Sequence, residues 1–167
     1  TLTQCDLFFA DKAVLIEGAS ERLLLPAMIR KTDAIAADEA QLGTQYLTIM
    51  EVGGYYAHRF FDLLTFLELR TLIITDIDSV KPNDNNRRVS VPVAEGLFTS
   101  NGCLKAWFGN DVSPADLLAK TPDDKTANDR RIAYQIPEVD GGPCGRSLED
   151  AFILANRRPG VIGNCPA

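Results

Sequence analysis

The strongest constraint on the fold is in the first half of the chain, where apolar runs too short to be helices alternate with longer amphipathic stretches. That alternation belongs to βαβ units feeding a parallel sheet. Residues 13–16 (AVLI) are predicted to form a buried strand whose carboxyl end is Glu17-Gly18. A helix is expected next, with Ser20 as its cap, Glu21 in the first turn where the positive end of the dipole favours an acid, and Leu23, Leu24, Ala27 and Met28 at helical spacing. Pro26 removes a hydrogen bond there and predicts a kink or a late start. After a helix or loop over 34–44, residues 46–52 (YLTIMEV) form a second strand closed by Gly53-Gly54. Phe60, Phe61, Leu64 and Leu67 give the segment 57–69 one apolar face, and residues 72–75 (LIIT) form a third strand that stops at Asp76.

From Ser79 to Arg146 the periodicity fades, with an Asn-rich turn at Asn83, Asn85 and Asn86 and a Gly141-Gly142-Pro143 close. This is expected to be an irregular insert, roughly 80–146, in which 103–108 is a short strand or helix and 114–120 a helical turn. Order returns at Ser147: SLEDAFILAN has a Ser N-cap, early acids and an apolar face of Leu148, Phe152 and Ile153, predicting a helix to about Arg158, stopped by Pro159-Gly160. The fold class is α/β, a Rossmann-like central, mostly parallel sheet flanked by helices, in a single domain over 1–167.

A length of 167 residues suits one such domain, and a start at Thr1 reads as a fragment of a longer protein. No secretory leader is recognised, and the apolar runs fall far short of the roughly 20 residues a membrane span requires. Cys5, Cys103, Cys144 and Cys165 form neither a C-x-x-C pair nor a disulfide framework, which fits a reducing cytoplasm. The net charge of -6 opposes a simple nucleic-acid-coating module. That conflict eases if the acids hold cations, because a bound metal inverts the field that a phosphate meets.

In an open parallel sheet, ligands bind outside the carboxyl ends of the strands, and the acids lie there. Glu17 ends the first strand, Asp76 and Asp78 end the third, Glu21 follows one helical turn after Glu17, and Glu149 opens the later helix. Five carboxylates in one crevice repel unless cations are bound, and all-oxygen ligation suits Mg²⁺ or Mn²⁺. Two such ions about 4 Å apart suffice to hydrolyse a phosphodiester without a protein nucleophile. Any one of these acids reads equally well as a solvated loop residue; the strand-Glu-Gly start combined with a strand-D-x-D end is more specific than its members.

Four segments carry a family resemblance: FFADKAVLIEGASERLLL (8–25), GGYYAHRFF (53–61), TLIITDIDS (71–79) and RSLEDAFILAN (146–156). The chain resembles the Toprim domain of the OLD (overcoming lysogenization defect) nucleases over most of its length. The resemblance implies two-metal cleavage of DNA. Glu17, Asp76 and Asp78 match the shared Toprim acids, and Glu21 and the Ser147-x-Glu149 motif match the additions of the OLD type. It thereby implies Glu17, Glu21, Asp76, Asp78 and Glu149 as metal ligands, direct or through water, with Ser147 supporting them beside Gly18, Gly53 and Gly54. OLD proteins couple this domain to an ATPase, so an ATPase domain elsewhere in the same protein is an expected partner, and a homodimer is compatible with it. No G-x-x-x-x-G-K-[ST] loop occurs in this sequence, so no ATP site is expected within it, and the downstream Lys of the family has no counterpart after Lys125. Thr99-Ser100-Asn101 is similar to a further motif of the family, one to which the sequence attaches no physical role.

Arg87-Arg88, Arg130-Arg131 and Arg157-Arg158 are the candidates for gripping a DNA backbone, against the alternative of a solvated surface. His58 reads as a surface or packing residue, and Phe60, Phe61, Phe66 and Trp107 as core. Two rival functions remain: a haloacid-dehalogenase-like phosphatase with Asp76 of D-x-D-x-[TV] as nucleophile, and a Toprim-like module that binds DNA or protein without cutting.

Overall fold

A computed structural model describes residues 2–156, without the side chains of residues 2–4, 39, 54 and 55. Three of the expected strands form as β1 (Lys12–Ile16), β2 (Leu47–Glu51) and β3 (Arg70–Ile74). They pair in parallel in the order β2-β1-β3. Strand β1 is central and carries no charge beyond Lys12, which lets Ala13, Val14, Leu15 and Ile16 all be buried, as a strand covered on both faces requires.

Helix α1 (Ala19–Asp33) returns the chain from β1 to the edge strand. Its cap is Gly18, not Ser20, and the backbone N–H of Gly18 donates to Glu21 Oε2 at 2.9 Å. Nor does α1 start late: it begins before Pro26 and runs through it. Its sheet-facing side chains are Leu25 and Ile29, which line a groove with β1 and β3, whereas Leu23 is 78% exposed. A 3₁₀ turn (Gly54–Phe60) leads into the short α2 (Phe61–Phe66). Leu64 is buried there and Phe60, Phe61, Leu63 and Leu67 pack on the core, while Phe66 points to solvent, contrary to its expected core role.

The stretch whose periodicity fades is ordered. β4 (Ser79–Pro82), β5 (Arg88–Ser90) and β6 (Phe98–Thr99) make a small antiparallel sheet in the order β5-β4-β6, with the predicted Asn-rich turn joining β4 to β5. Helices α3 (Gly102–Phe108) and α4 (Pro114–Leu118) follow, the latter started by Ser113 with Pro114 at its first position. The chain then rejoins the main sheet through β7 (Thr126–Ala127) and β8 (Arg130–Ala133), with β8 lying parallel to β3. This stretch therefore supplies the fourth parallel strand and is not an appendage. One core joins both halves, from Leu15 and Ile73 through Ile77, Leu104 and Leu117 to Ile132. α5 (Leu148–Ala155) is capped by Ser147 and packs beside α1; Phe152 and Ile153 of its expected apolar face are half-exposed. The predicted stop at Pro159-Gly160, the Arg157-Arg158 pair and Cys165 lie outside the described residues. Among those described, no helix is long and apolar enough to cross a membrane, and Cys5, Cys103 and Cys144 are free thiols.

Candidate metal centre

Glu17, Asp76 and Asp78 come together just beyond the carboxyl ends of the adjacent parallel strands β1 and β3, close enough for the charge of Glu17 to act on both aspartates. Glu17 is held by one oxygen. Its Oε1 accepts from the Thr75 hydroxyl, from the backbone N–H of Asp76 at 3.0 Å and from Asn101 Nδ2 at 3.0 Å. Among the described residues no donor takes Oε2.

Asp76 is arranged in the same way: its Oδ1 accepts from Gln135 Nε2 at 2.6 Å and from the backbone N–H of Leu148 at 3.0 Å. Burial, then the neighbouring charge of Glu17, pushes its pKa up to about 7, against the opposing pull of the Gln135 bond. Asp78 is raised by burial and by Glu17, and is held down by Arg146, whose Nη2 lies 3.2 Å from Oδ1. Asp78 adopts φ +49°, a left-handed backbone that Asp tolerates better than most residues. The conformation is pinned by its N–H to Arg146 O at 3.3 Å and by Ser100 N–H and Oγ donating to its carbonyl at 2.9 and 3.2 Å. Strain of this kind, enforced by surrounding bonds, concentrates at functional sites.

The other predicted positions separate. Glu21 is buried but spends Oε2 on the Gly18 N–H. Glu149 is exposed and held by the Ser20 and Ser147 hydroxyls, which keep its pKa below the usual range. Ser147 caps α5 by accepting from the Asp150 N–H. Gly18 ends β1, and Gly53, at φ +65°, turns the chain after β2. Arg87 and Arg88 lie at the β4–β5 hairpin, Arg88 over the ring of Phe98 at 5.5 Å. Arg130 and Arg131 begin β8 and so stand at the far end of the sheet from the acids; Arg130 stacks on Phe61 at 4.7 Å and donates to its carbonyl. They rim an open groove of about 830 Å³ with Lys12 and Arg70, floored by Val14, Leu25, Ile29 and Leu72. That groove holds no cluster of acids, whereas the crevice at the opposite strand ends does.

Two buried polar residues had no role assigned from the sequence: Asn101, noted there only as part of Thr99-Ser100-Asn101, and Gln135. Asn101 is fully buried and Gln135 nearly so; the latter bridges the Ile77 N–H, through Oε1, and Asp76, through Nε2. Gln135 follows β8 as Glu17 follows β1, so recognising 130–133 as a strand would have flagged it. Arg146 was also missed, and its buried Nε has no hydrogen-bond partner beside the carboxylates.

The donor set is all oxygen and its charges raise one another, which suits a hard cation. Among the described residues no three His, Cys, Asp or Glu side chains already surround a common point. Hard divalent ions such as Mg²⁺ retain several waters and need only one or two protein carboxylates each, so Glu17, Asp76 and Asp78, each with one oxygen tied back, fit such an ion without enclosing it.

Residues 8–78 match the family described as overcoming lysogenization defect protein-like, Toprim domain. Endonuclease GajA of Bacillus cereus (strain HuB5-5) is 29% identical over 162 residues, which cover 95% of this chain and 22% of that protein. The chain thus spans about a fifth of the length of this curated relative. No solved structure matches the chain. Strands β1, β2 and β3, the Glu after β1 and the D-x-D after β3 all fall within or at the edge of the matched segment, and it is to the OLD-like Toprim family that residues 8–78 are similar.

Proposed function

We propose that this chain is the cleavage centre of a cytoplasmic, divalent-metal-dependent DNA endonuclease that hydrolyses phosphodiester bonds with two Mg²⁺ or Mn²⁺ ions, with an ATPase domain of the same protein as its partner. The observation that carries the proposal is the convergence of Glu17, Asp76 and Asp78, each fixed through one oxygen, at the carboxyl ends of adjacent parallel strands. Bound cations would polarise the scissile phosphate and offset the charge that develops on it.

The residues of the chain have separate tasks in this reading. Glu17, Asp76 and Asp78 supply ligand oxygens; Glu21, tied to the Gly18 N–H, and Glu149, tied to Ser20 and Ser147, would complete the set directly or through water. Ser147 fixes the start of α5 and so the N–H of Leu148 against Asp76. Arg146 pairs with Asp78 through a partly exposed side chain that could also meet a phosphate oxygen, and Arg87 and Arg88 extend the positive surface along the hairpin. Asp76 is a poor phosphoenzyme nucleophile, because its carboxyl is held through Oδ1 by two donors.

The test is nicking of supercoiled plasmid in Mg²⁺, Mn²⁺ or EDTA by the wild type, Glu17→Ala and Asp76→Ala. Nicking that needs the metal and drops at least a hundredfold in both variants is expected. A phosphatase signal on a small phosphoester that depends on Asp76, without nicking, would overturn the reading, and DNA retention without cleavage would favour a binding module.

A further inference from the structure

Asn101 occupies an unusual place for an amide. It is fully buried, it lies in the stretch between the D-x-D and S-x-E motifs, and all its polar atoms are used. Oδ1 accepts from the Cys103 and Leu104 N–H groups at 2.9 and 3.2 Å, which starts α3. Nδ2 donates to Glu17 Oε1 at 3.0 Å and to Thr75 Oγ1 at 2.9 Å, and the Thr75 hydroxyl in turn donates to the same Glu17 oxygen. Its own N–H is held at 2.9 Å by Thr99 Oγ1, which donates to the Ile77 carbonyl between the two aspartates.

We propose that Asn101, together with Thr75, is a positioning residue that makes Glu17 a one-oxygen ligand, saturating Oε1 so that only Oε2 is presented to a cation. The inference rests on the metal-dependent reading above and adds the residues that give the site its geometry. An isolated carboxylate ligates through either oxygen or both, and rotates between these modes. Three donors on one oxygen remove that freedom, and an amide does so without bringing a charge that would compete with the cation. Because the same side chain caps α3, the placement of Glu17 is tied to the segment that carries the second sheet; Thr99-Ser100-Asn101 is the clamp between them. Partners that orient a ligand in this way typically change metal affinity by about 10–100-fold when removed.

The experiment measures Mn²⁺ affinity by calorimetry, with thermal unfolding in EDTA as the check on folding. Asn101→Ser retains a good cap for α3 but has no amide to reach Glu17. Thr75→Val removes only the hydroxyl, and Thr75→Ser restores it. Asn101→Ser and Thr75→Val are expected to weaken Mn²⁺ about tenfold or more while remaining folded, with Thr75→Ser within about threefold of wild type. Binding within twofold of wild type in the folded Asn101→Ser and Thr75→Val proteins overturns the proposal; if Asn101→Ser does not fold, Thr75→Val and its serine rescue decide alone. A wild-type chain that takes up no Mn²⁺ rejects the metal reading itself, and this inference with it.

Discussion

The carboxyl of Asp76 sits half-buried beside the charge of Glu17 and keeps its proton up to about pH 7, whereas an unfolded aspartate releases it near 3.8. Between those values the folded chain binds the extra proton. The contribution to stability is therefore fully present below about pH 4 and is lost as the pH rises through 7. Asp76→Asn retains an Oδ1 acceptor for Gln135 and Leu148 and removes the charge. In EDTA at pH 8 it is expected to stabilise the chain by about 2 kcal/mol, roughly half of the full displacement because solvent screens the carboxyl, or about 6 °C in melting temperature. Thermal unfolding from pH 4.5 to 8 checks this: the variant loses most of the wild-type slope, with a smaller part left from Asp78, and an unchanged slope rules the account out. These acids are legible in the sequence because a charge at the end of an apolar run is visible in one dimension. The sequence did not give Asn101 or Gln135 a role, because a buried amide is defined by partners that lie 84 and 59 residues away.

At the scale of elements, the tightest junction is between the Arg146-Ser147 turn and α5. A Cβ on Gly145 would lie 2.4 Å from the backbone nitrogen of Ala151 and 2.7 Å from its Cα, so neither side can yield without moving the helix. That helix carries the Leu148 N–H to Asp76 and holds Glu149 beside Ser20. Gly145→Ala is expected to cost about 2 kcal/mol from overpacking and to lower Mn²⁺ affinity, because α5 is pushed off Asp76. A melting temperature and affinity equal to wild type would show that the turn does not position the site. Periodicity located β1, β2, β3 and α5 because each is an apolar run with a clear boundary. It missed β4, β5, β6, β7 and β8, which run from two to four residues; β8 opens with two arginines, and Ile132 is its only large apolar residue. Such strands are held by their neighbours in the sheet, a tertiary cause that local sequence does not carry.

Over the whole molecule, two sheets and three connections converge on one crevice. The parallel sheet supplies Glu17, Asp76 and, after β8, Gln135; the small sheet delivers Asn101; the return through Arg146 brings α5. Cations in this crevice would ease the approach of a polyanion to a chain of net charge -6, since Lys12, Arg70, Arg130 and Arg131 gather at the opposite end of the sheet. Occupation by two ions is thus the claim on which the functional account stands. Anomalous scattering from crystals of the chain soaked in Mn²⁺ tests it most directly. The account predicts two peaks about 4 Å apart, in contact with Glu17 Oε2 and the carboxylates of Asp76 and Asp78; a single ion, or peaks confined to other acids, would contradict it.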